Sequence, residues 1–165
     1  MKKITLSILA ASLLFASCKP DVKGELGDPS DKIAGLNGTW EIAAFAQQDP
    51  NNPIKEERDL SEFYIQDGVN PYRLTFSSAD RSYSVANGPG KNFFGTSGTW
   101  AYDNDANPTT LYLYNVADTL TLEMGNMVRT WDSSLKINLS SMCVDADGNP
   151  TPISIYKFTL NRVNP

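Results

Sequence analysis

Short segments of this chain alternate apolar and polar residues with a period of two, and turn-forming residues separate them. Tyr72, Leu74 and Phe76 alternate with Arg73 and Thr75. Tyr83 and Val85 alternate with Ser82 and Ser84, and Leu120, Leu122 and Met124 with Thr119, Thr121 and Glu123. Leu135, Ile137 and Leu139 follow the same rule, as do Tyr156, Phe158 and Leu160. Side chains point to opposite faces of a strand in turn, so this pattern marks strands with one buried and one wet face. Gly38-Thr39-Trp40-Glu41-Ile42 and the Trp100/Tyr102 pair add further strands. Asn87-Gly88-Pro89-Gly90, Asp103-Asn104-Asp105, Gly125-Asn126, Asp132-Ser133-Ser134 and the Asp145 to Pro150 stretch supply turns between them. About eight or nine strands are expected. Short connections make neighbours antiparallel, so the expected fold is all-β: an up-and-down meander. Closing it as a barrel removes the exposed edges.

Three places break the rhythm. The 47–70 segment is too long for a hairpin loop. Asp59 followed by Glu62 fits a capped helix start, and Asp67-Gly68 a stop, which predicts one short helix here. It is expected to cap the barrel end near Trp40, turning Phe63 or Tyr64 inward and leaving Glu56, Glu57 and Arg58 in water. Leu111-Tyr112-Leu113-Tyr114 is apolar on both faces, so its tyrosines either pack under neighbouring loops or face a partner. Ile153-Ser154-Ile155 is out of phase with Tyr156-Lys157-Phe158, which predicts a bulge near Ile155.

Composition removes many chemistries. The chain has no histidine. Ser-His-Asp and Cys-His nucleophiles, histidine bases and nearly all catalytic zinc sites go with it. A pair of carboxylates is the enzyme class still open, and no enzyme is expected. There are 14 basic and 19 acidic residues. Without residues 1–17, which hold Lys2 and Lys3, the balance is 12 against 19, a net charge of −7. An acidic protein is poorly suited to nucleic acid or anionic lipid.

The amino terminus carries an address. Lys2 and Lys3 precede an apolar stretch over residues 4–15, too short to span a bilayer. Phe15-Ala16-Ser17-Cys18 then resembles a bacterial lipobox, in which the cysteine is acylated and becomes the new amino terminus. The resemblance implies a signal peptide at 1–17, lipidation at Cys18 and a membrane partner through that lipid. Lys19 is compatible with sorting to the outer membrane. Residues 18–35, rich in Gly, Pro and charge, read as a tether. Residues 36–165 remain as one domain, long enough for a single core. With Cys18 acylated, Cys143 has no disulfide partner, and Met142-Cys143-Val144 reads as a small buried site.

Leu36-Asn37-Gly38-Thr39-Trp40-Glu41-Ile42 resembles the first strand of lipocalin-like proteins, where Gly-x-Trp sits at the barrel entrance. Gly98-Thr99-Trp100 repeats the motif after Leu74-Thr75-Phe76 and Tyr83-Ser84-Val85. That order, with Asp59 to Tyr64 and Lys91-Asn92-Phe93-Phe94-Gly95, resembles the small lipocalin-like lipoproteins of Bacteroidota, a family of unknown function. The resemblance covers 36–163. It implies a lipocalin-like barrel in the cell envelope, periplasmic or surface-exposed, and no catalytic residue.

Two functions are open on these grounds. The first is a non-catalytic module binding a small apolar or glycan ligand. Its contact candidates are Trp40, Phe63, Tyr64, Phe93 and Phe94, with Trp40 read first as a core plug. Adjacent Phe93 and Phe94 in a loop cannot both face one core, so one is expected to be exposed. The second is an accessory or structural subunit of an envelope complex, with a filled barrel. No cofactor is expected. Asp103, Asp105 and Asn107 alternate like the start of a calcium loop but lack the distal Glu, so they read first as turn residues. Gly88-Pro89-Gly90-Lys91 lacks phosphate-loop spacing and reads as a glycine turn.

Overall fold

A computed structural model describes residues 30–163, apart from 53, 55 and 117. The lipobox cysteine Cys18, residues 1–17 and most of the tether lie outside the described residues. After the helical turn α1 (Lys32–Leu36) come nine strands: β1 (Gly38–Gln48), β2 (Arg58–Asp59), β3 (Arg73–Phe76), β4 (Ser82–Ala86), β5 (Ser97–Tyr102), β6 (Thr110–Tyr114), β7 (Thr119–Met124), β8 (Ser134–Val144) and β9 (Pro150–Arg162). The sheet runs β2-β1-β3-β4-β5-β6-β7-β8-β9 with every neighbour antiparallel, and β1 also pairs with β9. Eight strands therefore close as an antiparallel barrel, and β2 is an extra strand beside the far half of β1.

Alternation sets the core. Leu74, Phe76, Tyr83, Trp100, Leu111, Leu113, Leu122, Leu135, Ile137, Phe158 and Leu160 all point inward and are buried. Their polar neighbours Thr75, Ser84, Thr99, Thr121 and Lys136 stand outside. Tyr112 and Tyr114 are on the outer face, stacked on each other with ring centroids 6.3 Å apart. Tyr114 is exposed and Tyr112 half-buried.

Two bulges interrupt the period. Ile42 faces Leu160 while Ala44 faces Thr159, so Ala43 is an extra residue on β1. It switches the inward set from Trp40 and Ile42 to Phe45. Ser141 faces Ser154 while Met142 faces Pro152, so Ile153 is the extra residue on β9, two positions from the expected site.

The capped helix expected in 47–70 is a single 3-10 turn, Ser61–Phe63. Asp59 does not cap it; its carboxylate accepts from the Ser61 N–H at 2.9 Å. Asp59 is instead committed to β2, where it pairs with Ala46. The folded body also starts before residue 36. Asp31 caps α1, accepting from the N–H groups of Ile33 (2.9 Å) and Ala34 (3.0 Å), and Leu36 has no accessible surface.

Candidate functional site

Strand direction separates the candidate residues. Trp40 lies near the start of β1 and Phe45 beyond the bulge, so α1 and the 3-10 turn close opposite ends of the barrel. The 47–70 segment therefore does not sit at the Trp40 end, contrary to the sequence expectation. The first strand enters the barrel at Trp40 and leaves it toward that segment.

At the α1 end Trp40 is a plug, with no accessible surface. Its indole Nε1–H donates to the Leu36 carbonyl at 2.8 Å. The Arg162 guanidinium covers its ring at 4.3 Å. Arg162 also donates to the carbonyls of Gly35 (2.5 Å), Asn37 (2.7 Å) and Asp132 (3.1 Å). The carbonyls at the end of α1 have no intrahelical partner, and the arginine satisfies them. Burial from water is the main cause that lowers the Arg162 pKa, against the opposing effect of Asp132. The Tyr102 hydroxyl adds a 3.4 Å bond to the Lys32 carbonyl. Trp40 is therefore removed from the ligand-contact set: reaching it means displacing both α1 and Arg162.

The opposite mouth gathers the other four. Tyr64 is buried, with its ring edge-on to Phe45 at 4.8 Å and to Tyr72 at 5.8 Å. Its hydroxyl donates to the Lys91 carbonyl at 2.5 Å. Phe94 is buried 5.0 Å from Phe158, and Phe93 packs 4.9 Å from Tyr156. Neither phenylalanine is fully exposed, contrary to expectation. Both lie in a loop free of strand alternation, which Asn92 shapes. Asn92 accepts from the Tyr72 hydroxyl and the Phe94 N–H, and donates to Asn87 and to the Gly95 carbonyl. Gly90 lets this loop meet the 3-10 segment. Its φ is +88°, and a Cβ there would lie 2.8 Å from the Tyr64 ring. Phe63 alone points away, half-exposed.

The mouth is thus filled by Phe45, Tyr64, Tyr72, Phe93, Phe94 and Phe158 rather than open. Burial raises the phenol pKa of Tyr64 to about 12, with Tyr156 adding to the rise. Burial, then proximity to Tyr64, pushes Tyr72 up as well. These phenols hold their protons at all ordinary pH values.

The calcium-like loop spends its oxygens on the fold. Asp103 accepts from the Thr109 hydroxyl (2.6 Å) and from the N–H groups of Thr109 (2.9 Å) and Thr110 (3.0 Å). Those bonds, the Thr109 hydroxyl first, lower its pKa to about 2. Asp105 forms a two-point bond with Arg81, at 2.7 and 3.1 Å, and Arg81 in turn covers Trp100 at 5.3 Å. Asn107 uses its backbone N–H on the Asn104 side chain. The second such loop is a hairpin turn in which Asp145 accepts from the N–H groups of Asp147 and Asn149.

Among the described carboxylates with a resolved shift (Asp59, Asp80, Asp103, Asp105, Asp132 and Asp145) every shift is downward, led by a hydrogen bond in each case. A general acid needs the opposite shift.

Cys143 is exposed rather than buried. Beyond Leu139 and Tyr156 the β8–β9 hairpin runs past the barrel, so the inward phase of its residues no longer meets a core. Met142 and Val144, on the opposite face of β8, and Ile153 at the bulge are exposed as well.

A groove of about 440 Å³ lies on the outer face of β1, β8 and β9, edged by Glu57, Asp59 and Ser61. Lys136, Asn138, Lys157 and Thr159 line it with polar side chains. No family model, curated protein or solved structure matches this chain.

Proposed function

We propose that this chain is a lipid-anchored, non-catalytic accessory protein of the bacterial cell envelope that works through its outer surface. The aromatic filling of the barrel mouth carries this reading: six rings occupy the space where a lipocalin-like ligand would sit. Removing Tyr64 or Phe158 to make room would give up several kcal/mol of packing, roughly 3–5 for a large aromatic, which a small ligand would have to offset. The non-catalytic part of the reading rests on the absence of histidine from the sequence. The anchor rests on the lipobox resemblance at Cys18.

A second reading, binding of a short glycan, rests on the outer groove. Its Lys, Asn, Thr and Ser side chains are suited to sugar hydroxyls.

Two measurements test the proposal. Titration with anilinonaphthalene sulfonate and with a long-chain fatty acid should show no saturable binding that alters tryptophan fluorescence. Saturable binding at one site per chain would return the interior-ligand function. Cell fractionation should find the protein in membranes and the Cys18→Ala variant outside them; equal membrane retention of both would remove the anchor.

A further inference from the structure

Of the three tryptophans, Trp131 is the one that the fold leaves outside. Trp40 and Trp100 are buried, and their indole N–H groups donate to the carbonyls of Leu36 and Ser77. Trp131 is 68% exposed. It stands in the turn where the Asp132 N–H donates to the Arg129 carbonyl at 3.0 Å. Among the described residues its indole N–H has no acceptor, and its ring meets only the Arg129 guanidinium, at 5.3 Å. A turn does not require an indole, and a tryptophan facing water adds nothing to the core.

The turn is nevertheless fastened to α1. Val128 is buried, and Gly35 of α1 lies against the backbone of Val128 and Arg129. Arg162 donates to the Asp132 carbonyl at 3.1 Å and to the Gly35 carbonyl at 2.5 Å. Asp132 accepts from the Arg129 N–H at 2.8 Å and from its Nε at 3.3 Å. Met127, on the other side of Val128, is exposed as well.

This is also the end where the described chain enters, at Ser30, one residue before the Asp31 cap. Cys18 lies twelve residues earlier, a reach of roughly 40 Å at full extension. A lipid on Cys18 therefore keeps a bilayer within that distance of α1. Strand order divides this end of the barrel in two. The β3–β4 and β5–β6 turns carry Asp80, Asp103 and Asp105. The half formed by α1 and the β7–β8 loop carries Lys32, Met127, Arg129 and Trp131, and its two acids are engaged, Asp31 as the α1 cap and Asp132 on Arg129.

We infer that Trp131 and Arg129 seat this half of the barrel end on a phospholipid bilayer, so that the aromatic mouth and the β8–β9 hairpin point away from the membrane. The inference rests on the anchor proposed at Cys18. An indole suits the headgroup level, with its ring among apolar groups and its N–H on a lipid oxygen. The arginine lays its stem along the same layer and offers its fork to a phosphate. One such pair holds a surface weakly by itself. The anchor makes the encounter intramolecular, and a weak contact is then enough to fix the orientation.

The test takes the full chain from bacterial cells in mild detergent and reconstitutes it into phosphatidylcholine vesicles, with or without bromine on the acyl chains near the headgroup. Flotation reads the anchor, and bromine quenching reads the contact. The protein should float with the vesicles. Brominated lipid should quench the part of the tryptophan emission that Trp131→Phe removes, and leave the emission of that variant unchanged. Phe63→Trp added to Trp131→Phe moves the exposed indole to the opposite mouth, where it should float equally and stay unquenched. Iodide in the water gives the converse reading on the unaltered side chain: it should reach Trp131 in Cys18→Ala and be kept from it in the anchored protein. Flotation without quenching at Trp131, or equal quenching at Phe63→Trp, overturns the inference and leaves the anchor standing. Failure of the unaltered chain to float overturns both.

Discussion

The guanidinium of Arg162 lies 4.3 Å over the ring of Trp40 while two of its N–H groups hold the carbonyls of Gly35 and Asn37. One side chain thus joins the last strand to the first and to α1. Arg162→Ala removes a cation–π contact and three charge-assisted hydrogen bonds, and should cost about 3 kcal/mol in urea denaturation. Arg162→Lys should recover only a minor part, because an ammonium cannot span the three acceptors that the planar fork reaches.

Phe158 stands at the centre of the mouth, against Phe45, Tyr64, Phe93 and Phe94. Phe158→Ala should cost about 3–5 kcal/mol. It should also create a site for anilinonaphthalene sulfonate that the unaltered protein lacks. Phe76→Ala, at the other end of the barrel, should cost a similar amount. A loss under about 1 kcal/mol for either would contradict the packing described.

Gly35 passes so close to the 128–129 backbone that a Cβ would lie 2.1 Å from the Val128 carbonyl oxygen. The obstacle is backbone, not a side chain that can swing away. Gly35→Ala should therefore push α1 off the barrel and lower stability by about 1–3 kcal/mol. A shift in tryptophan emission should accompany the loss, because the Trp40 indole donates to Leu36 in the same turn.

Alkaline stability follows from the buried phenols. Tyr64, Tyr72, Tyr83 and Tyr102 all have raised pKa values, with burial the first cause in each. In the unfolded chain they ionise near the ordinary value of 10.0. Above that pH the folded state holds more protons than the unfolded one, so stability falls as pH rises. It should be intact below pH 10 and decline through 12, the value for Tyr64. Ultraviolet absorbance should show these phenols ionising together with unfolding, and Tyr64→Phe should reduce the steepness.

The acid limb runs the other way. Asp103 has its pKa lowered from 3.8 to about 2 by the Thr109 hydroxyl and the N–H groups around it. Its contribution is present above pH 4 and is lost as pH falls toward 2. Asp103→Asn should flatten the dependence of the urea midpoint on pH in that window. An unchanged slope would show that the turn bonds do not persist in solution.

The barrel was readable wherever period two ran unbroken, as at Leu74 and Phe76 or Leu135 and Ile137. It failed where geometry overrides that period. Ala43 hid its bulge because it is followed by Ala44, and two small residues carry no phase. Adjacency in a loop suggests that one of Phe93 and Phe94 faces water, yet Asn92 folds that loop so that both rings pack at the mouth. Cys143 continued an inward phase past the point where the barrel has an inside. α1 is too short for a helical period, and Arg162 gives no signal because its acceptors are backbone carbonyls over a hundred residues away. Trp40 was placed at the wrong end relative to the 47–70 segment, because a motif tells which residue plugs a barrel and strand direction tells which end it plugs.

The seam between β1 and β9 sets the order in which the chain can fold. Asn37 and Arg162 meet across 125 positions, whereas the β3 to β8 hairpins join near neighbours. The hairpins can zip locally on a microsecond scale, roughly 1–10 μs each. Bringing the two outermost strands together carries the largest loop entropy and comes last. Until then β1 and β9 present bare edges at once, one of them 11 residues long and the other 13. Refolding should therefore be slow and concentration-sensitive, with the Trp40 signal appearing in the final phase, when Arg162 arrives.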